Sequence, residues 1–229
     1  MERISSVGLA VLILLSLIAL FPSASESPHL IVIEWSLEHP NGKITLYSIP
    51  LEDNSNSTSD FKLLPFHWYT TAEYWINPNN KYGFSTNAVV ANITAAANTW
   101  DSQTSATVFF YKGVTNRSPG KRDGYNVIGW GPYRAGVIAV TYIWYVGNRI
   151  VETDTRMNTY YKWSLSGEPN KMDVQNIMTH EFGHWCGLDD LYADEDFWLT
   201  MYGYADYGET YKRTLGLGDI LGLQEVYGE

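Results

Sequence analysis

The sequence predicts an α+β fold in which helices pack against a twisted, mixed β-sheet. Runs rich in β-branched and aromatic residues indicate strands, and they stand at residues 107–113, 126–130, 136–146 and 149–158. The last two runs are separated by Gly147-Asn148, which suits a tight hairpin turn. Helical patterns occur before, between and after these runs. Together the elements predict one main domain over residues 61–229.

Three helices are expected in this domain. An alanine-rich stretch at 86–103 predicts the first, with Asn87 in a position to cap it. The second is expected to begin near Asn170 or Asp173. A short amphipathic pattern at 215–228 predicts the third.

The first 25 residues predict a secretory signal peptide. A short start with Arg3 precedes a mostly apolar run from Val7 to Phe21, and small residues follow near Ala24. This run is shorter than the roughly 20 residues that cross a bilayer comfortably. We therefore expect a secreted or extracytoplasmic protein. Retention of the segment as an N-terminal membrane anchor is the alternative.

Residues 26–60 are predicted to form a β-hairpin followed by a polar linker. Apolar and polar residues alternate on both sides of Asn41-Gly42, and turn-forming residues dominate 52–60. Three interpretations of the hairpin stay open. It is a prosegment that covers a functional site, an extra edge of the main sheet, or a small accessory piece.

Charge and cysteine content exclude several classes of protein. The formal net charge is −10 and no cluster of Lys and Arg occurs, so nucleic acid is not expected as a partner. Cys186 is the single cysteine of the chain, which excludes an internal disulfide framework. We expect a monomer, with a membrane contact only if the N-terminal segment stays uncleaved.

The stretch "NIMTHEFGHWCGLDDLY", residues 176–192, has the spacing of a zinc-binding helix. His180 and His184 are four residues apart and therefore lie on one helix face, from which both imidazoles can reach one ion. Glu181 follows the first histidine, where it can hold an attacking water without displacing it. Val174, Met178, Phe182 and Trp185 form an apolar stripe that we expect in the core, while the histidines face a cleft.

The third ligand is predicted to be Asp190. Gly187 tolerates the left-handed conformation that ends a helix, so the chain can turn back there and present Asp190 to the same ion. A carboxylate oxygen binds zinc at about the same distance as an imidazole nitrogen and leaves a fourth position for water. Its negative charge is expected to make that water less acidic and to shift the pH optimum. Asp189 is the alternative ligand, at an offset one residue short.

The segments "HEFGHWCGLDD", "LTMYGYADYG" and "LGLGDILGLQEVYG" together resemble the metzincin metalloproteases, most closely the matrixin type. The resemblance extends from about Pro65 to the C-terminus. It implies a metzincin-like catalytic domain in which Met201 forms a methionine turn under the zinc site, as a packing residue. It also implies a zinc cofactor and a protein or peptide substrate.

Three features depart from the matrixin pattern. Asp190 stands where matrixins have histidine, a substitution known in the snapalysins. The cysteine-switch motif is absent, because Cys186 lies inside the zinc helix. Gly203 stands where some metzincins have a tyrosine ligand, and its neighbours Tyr202 and Tyr204 are candidates for the wall of a pocket.

The resulting hypothesis is a secreted zinc endopeptidase in which Glu181 acts as general base toward a metal-activated water. Substrate is expected to pair with an edge strand, and 136–146 is the candidate, with Ala139 to Thr141 facing the peptide. A purely structural role for this strand has similar weight. The alternative functions are a catalytically inactive binding protein on the same scaffold and a zinc hydrolase of a non-peptide bond.

A calcium site is a further expectation, and a weaker one than zinc. Carboxylates suit this ion, and three of them follow one another at Asp194, Glu195 and Asp196. A solvated acidic loop is the favoured explanation of the same residues.

Overall fold

The computed structural model describes residues 27–37 and 57–229. The predicted signal peptide and the turn at Asn41-Gly42 lie outside the described residues. Within them, no helix has the length and apolarity to cross a membrane.

Six strands form the main sheet. In chain order the strands are β1 (His29–Ser36), β2 (Ala72–Ile76), β3 (Phe109–Val114), β4 (Asn126–Gly131), β5 (Val137–Val146) and β6 (Arg149–Asn158). Their order in the sheet is β1-β5-β6-β4-β2-β3. Strand β5 is antiparallel to both its neighbours, whereas β2, β3, β4 and β6 are mutually parallel. The two-residue strands β7 (Trp163–Ser164) and β8 (Met172–Asp173) form a separate pair.

Strand β5 was expected at the edge of the sheet, and this expectation is wrong for the described structure. Strand β1 pairs with β5 along its whole length, with Trp35 opposite Ala139 and Ile33 opposite Thr141. Residues 29–36 thus form an extra edge of the main sheet, which is one of the three interpretations of the N-terminal segment. The two strands are more than 100 residues apart in the chain. Pairing between such distant segments leaves no signal in local sequence patterns, so it could not be predicted from the sequence.

Helix α1 (Thr86–Asp101) lies against helix α2 (Val174–Cys186). Its N-cap is Ser85, whose hydroxyl accepts a hydrogen bond from the Ala88 amide at 3.2 Å. The expected cap Asn87 is instead the second residue of the helix, two positions after the cap. The indole of Trp100 donates to the carbonyl of Thr179 at 2.7 Å, which fixes α1 against the middle of α2.

Helix α2 begins and ends as its sequence indicates. Asp173 caps the start by accepting a hydrogen bond from the Asn176 amide. Gly187 ends the helix with φ of +95°, and a Cβ there would lie 2.9 Å from the carbonyl oxygen of Phe66. Both conditions favour glycine. The chain therefore reverses directly after the helix, as a third ligand requires.

The apolar stripe of α2 is fully buried, as predicted. The opposite face is buried as well, since His180, Glu181 and His184 have no exposed area. The cleft that was predicted in front of the histidines is therefore covered in this structure. Helix α3 (Leu217–Tyr227) is the last helix, and it follows the loop that contains Met201.

Candidate metal centre

Three side chains converge at the C-terminal half of α2. One ligand atom each from His180, His184 and Asp190 lies within 4.8 Å of the others, and all three residues are buried. Oδ1 of Asp190 is 3.2 Å from Nε2 of His180 and 3.7 Å from Nε2 of His184. The three atoms therefore surround a single point.

The backbone fixes which nitrogen of each imidazole faces this point. Nδ1 of His180 lies 2.8 Å from the carbonyl oxygen of Thr200, and Nδ1 of His184 lies 2.9 Å from that of Leu188. A carbonyl oxygen only accepts hydrogen bonds, so each Nδ1 carries the proton. In the neutral rings both Nε2 atoms then direct lone pairs toward the centre. This arrangement is typical of histidines that bind a metal.

The protonation states agree with this arrangement. Burial lowers the pKa of His180 to about 4, so the ring is neutral near pH 7. The hydroxyl of Tyr192 donates to Oδ2 of Asp190 and favours the ionised carboxylate. Two lone pairs and an anionic oxygen thus face one another in a buried space. Their mutual repulsion is relieved by a cation, so these residues fit a metal ion.

Asp189 and Asp190 point in different directions. The carboxylate of Asp189 pairs with Lys62 at 2.6 Å and accepts a hydrogen bond from the Asp190 amide. Asp190 turns inward, where the hydroxyl of Tyr192 donates to its Oδ2 at 3.1 Å and leaves Oδ1 toward the histidines. Sequence reasoning did not include Tyr192, because a tyrosine two residues after a ligand follows no general pattern.

Glu181 lies beside the centre and has one free oxygen. Its Oε2 accepts a hydrogen bond from Thr141 at 2.5 Å, whereas its Oε1 is buried and has no hydrogen-bond partner among the described residues. Burial raises the pKa of Glu181 to about 7. A carboxyl group with this pKa exchanges a proton readily near neutral pH.

A chain of donors orients Glu181. The Thr141 hydroxyl donates to the ionised carboxylate, so its oxygen accepts from the hydroxyl of Thr155 at 2.6 Å. Thr155 in turn accepts a hydrogen bond from the indole of Trp185 at 2.9 Å. The chain joins α2 to strands β5 and β6. Sequence reasoning assigned Trp185 to the core and Thr141 to a peptide-facing strand, and it gave neither a role toward Glu181.

Met201 packs against α2 at Gly183. A Cβ on Gly183 would lie 2.1 Å from its sulfur, so the glycine is what allows the approach. Asp219 accepts hydrogen bonds from the amides of Thr200 and Met201, at 2.7 and 3.0 Å. The same loop supplies the Thr200 carbonyl that orients His180. Met201 is thus in van der Waals contact with the helix and contributes no atom to the metal-ligand group.

Trp35 of β1 covers the centre. Its indole stacks on the His180 ring with a centroid distance of 3.8 Å and an angle of 5°. The ammonium of Lys212 lies over the indole, 5.4 Å from the ring centroid. Lys212 is itself buried and donates to Glu209 at 2.8 Å and to the carbonyl of Tyr204 at 2.7 Å. Neither Trp35 nor Lys212 was a candidate on sequence grounds.

The other residues predicted from the sequence are Tyr202, Tyr204 and the acidic run at 194–196. Tyr202 is buried with its ring 5.6 Å from the Lys212 ammonium, and Tyr204 borders strand β1 through a bridge to Ser36. The acidic run at 194–196 forms a single 3₁₀ turn, in which Asp196 accepts a hydrogen bond from Thr58. Across the described part of the chain, His180, His184 and Asp190 form the single metal-ligand group, and the calcium expectation has no support.

A protein-family model described as matrixin, of the peptidase M10 group, matches residues 132–228. The matched stretch contains β5, β6, α2 and α3, and with them the candidate ligands His180, His184 and Asp190 and the candidate base Glu181. The match supports a matrixin- or metzincin-like protein and suggests a zinc metalloprotease, and the mixed sheet with its helices is compatible with such a domain. No curated protein matches the chain.

Proposed function

We propose that the protein is a secreted zinc endopeptidase, with His180, His184 and Asp190 as metal ligands and Glu181 as general base. One observation carries the proposal. Two oriented imidazoles and an aspartate converge on one point, and the free Oε1 of Glu181 lies beside them. The matrixin match over the same residues gives independent support for peptide hydrolysis.

Zinc bound by these residues would supply Lewis acidity for the attack of water on a peptide carbonyl. The protein's own part in the reaction is proton transfer. Oε1 of Glu181 takes a proton from the attacking water and later delivers it to the leaving amine. Thr141 holds Oε2 and thereby restricts the carboxyl group to one orientation. Met201, whose side chain packs against α2 at Gly183, is proposed to form the methionine turn.

Two other functions use parts of the same site. A binding protein without activity would keep the fold and need no general base, whereas Glu181 is buried, oriented and free at one oxygen. A hydrolase of a non-peptide bond would use the same ligands and base. The matrixin match favours peptide hydrolysis over this third possibility.

The proposal is tested by measuring metal content and proteolysis together. The unaltered chain and a Glu181→Ala variant are analysed for zinc by mass spectrometry, and cleavage of a denatured protein is assayed on both. Because Trp35 covers the centre, the same pair is also prepared with Trp35→Ala. We expect one zinc per chain throughout and cleavage only where Glu181 is present.

Two other outcomes contradict the proposal in different ways. Chains that bind no zinc at a pH where histidine is neutral would make the protein a binding protein on a protease scaffold. Chains that bind zinc and hydrolyse a small ester or amide, yet leave denatured protein intact, would assign the site to a non-peptide bond.

A further inference from the structure

Residues 29–37 lie where an extended peptide would have to lie to reach Glu181. They add an antiparallel strand to β5, and Trp35, Glu34 and Ile33 stand opposite Ala139, Val140 and Thr141. Thr141 is the residue that holds Glu181. A strand in this position runs beside Thr141 and places Trp35 on the His180 ring.

The second wall of this groove is the segment after Met201. Ser36 bridges to Tyr204, and the Ala205 amide approaches the carbonyl oxygen of Ser36 at 3.4 Å. Strand β1 is therefore paired with β5 along its length, as a peptide ligand is paired in β-strand addition, and its last residue Ser36 is also bound by backbone on the other side. We call this space, between β5 and residues 204–205, the β5 groove.

Side chains of β1 alternate between the groove and solvent. Trp35 is fully buried, and Ile31 and Ile33 pack against the core on the same side. Leu30 and Val32, on the opposite side, are 50% and 40% exposed. Glu34 also lies on the outer side, where Tyr133 and Arg134 hold its carboxylate. Because a solvent-exposed ion pair contributes little to stability, Trp35 is the main anchor of the strand.

The pocket around Trp35 has the chemistry of an aromatic site. The indole of Trp35 stacks on the flat face of the His180 imidazole, and the Lys212 ammonium lies over the indole ring. A planar aromatic group stacks on the first and attracts the second through cation–π interaction. The pocket does not satisfy the indole, since Trp35 Nε1 is buried without a hydrogen-bond partner in the described structure. A buried donor without a partner is destabilising, so Trp35 is bound less tightly than a fully satisfied core residue.

We propose that residues 29–37 are an exchangeable ligand of the β5 groove, which keep the metal centre closed until an extended peptide with a large aromatic side chain displaces them. This inference rests on the proposed function, in that the groove is taken as the substrate site. The closed state follows from the burial of His180, Glu181 and His184, because no substrate carbonyl reaches them while Trp35 is in place.

The direct test is binding of a peptide that copies residues 29–37, HLIVIEWSL, labelled at its N-terminus. Anisotropy is measured with a chelator present, so the readout needs neither zinc nor hydrolysis. We expect the Trp35→Ala chain to bind this peptide at least tenfold more tightly than the unaltered chain, because its own strand competes less well. The matched control Leu30→Ala, on the outer side of the same strand, should bind like the unaltered chain.

A second peptide tests the aromatic pocket. A copy with leucine at the tryptophan position should bind to the Trp35→Ala chain at least tenfold more weakly than HLIVIEWSL. Equal binding of the two peptides would overturn the aromatic preference. Equal binding of HLIVIEWSL to all three chains would overturn the exchange itself.

A reversible cross-link tests the exchange with Trp35 present. Val32 and Tyr142 are directly opposite across β1 and β5, and neither is fully buried. Cysteines at both positions can form a disulfide, while the native Cys186 is buried and does not compete. We expect the oxidised form to bind the peptide at least tenfold more weakly than the reduced form. Equal binding by the two forms would overturn the inference.

Activity measurements separate this inference from the proposed function. If Trp35→Ala binds the peptide but no zinc-loaded chain cleaves protein, the exchange stands and the endopeptidase proposal fails. If the unaltered chain already cleaves denatured protein as fast as Trp35→Ala, the endopeptidase proposal stands and the closed state is overturned.

Discussion

The hydroxyl of Thr141 donates a hydrogen bond to Oε2 of Glu181 across 2.5 Å, between the middle of β5 and the centre of α2. The contact leaves Oε1 as the oxygen available for chemistry. It also makes strand β5 part of the site, in addition to any role in holding a peptide.

Replacing Thr141 with valine should lower kcat without removing the metal. Valine matches threonine in shape but leaves Oε2 of a buried carboxylate unpaired, and a hydrogen bond to a charged group contributes about 1.5–3 kcal/mol. We expect kcat to fall roughly 10- to 100-fold in the Trp35→Ala background, with zinc content unchanged. Thr141→Ser keeps the hydroxyl and should retain most activity. Equal losses in the serine and valine variants would refute the orienting role.

Asp190→Ala and Asp189→Ala form a matched pair that tests the third ligand. Asp190 faces the histidines, whereas Asp189 faces Lys62 at the surface. We expect Asp190→Ala to weaken zinc binding by at least 100-fold, since one of three protein ligands is lost, and Asp189→Ala to leave it within about twofold. Competition with a chelating dye measures both affinities. The reverse order of effects would transfer the ligand role to Asp189.

Gly183→Ala should destabilise the fold although alanine favours helices. The gain in helix propensity is about 1 kcal/mol. The new Cβ, however, would lie 2.1 Å from the Met201 sulfur and 2.8 Å from Trp100, and overpacking of this kind typically costs about 1–3 kcal/mol. We expect a lower urea midpoint than for the unaltered chain. Gln175→Ala, at a less buried position of the same helix, should not lower it, and a stabilised Gly183→Ala would contradict the packing argument.

Asp154 should make stability fall as pH rises from about 4 to 7. Burial raises its pKa to about 7, although the amides of Gly120, Lys121 and Val127 donate to it and oppose the shift. Between the ordinary pKa of aspartate and this raised value, the folded protein retains a proton that the unfolded chain has lost. Unfolding therefore becomes easier as pH rises through this window, and above it the contribution is constant.

The comparison with Asp154→Asn isolates this contribution. The free energy of unfolding of the variant, relative to the unaltered chain, should increase between pH 4 and pH 7. Glu225→Gln, an exposed change on α3, serves as the control and should show no such trend. A relative stability that is constant with pH would mean that the three amide donors keep Asp154 ionised in the folded state.

What the sequence predicts correctly depends on local spacing. The interval between His180 and His184 follows from the helical repeat, and the break at Gly187 follows from its freedom to adopt positive φ. The same reasoning gives the buried stripe of α2 and the hairpin of β5 and β6. Each of these features depends on residues within about ten positions of one another, and over such short distances backbone geometry allows few conformations.

The parts that sequence reasoning missed are contacts between distant segments. Trp35 meets His180 across 145 positions of sequence numbering, and only the register of β1 on β5 brings them together. Tyr192 and Lys212 contribute through loop conformations that no repeat describes. The candidate ligands were thus accessible to local reasoning, whereas the covered and buried state of the candidate site was not.

Strand β1 also protects the rest of the sheet from other molecules. Once residues 29–37 leave, β5 presents a row of unpaired amide and carbonyl groups on a strand whose side chains are mostly aliphatic or aromatic. An edge of this kind readily recruits strands from other copies and promotes aggregation. The opened protein is therefore expected to lose solubility with time and concentration, unless a peptide occupies the edge. Stock solutions would keep best in the closed form, and the opened form is best generated immediately before use.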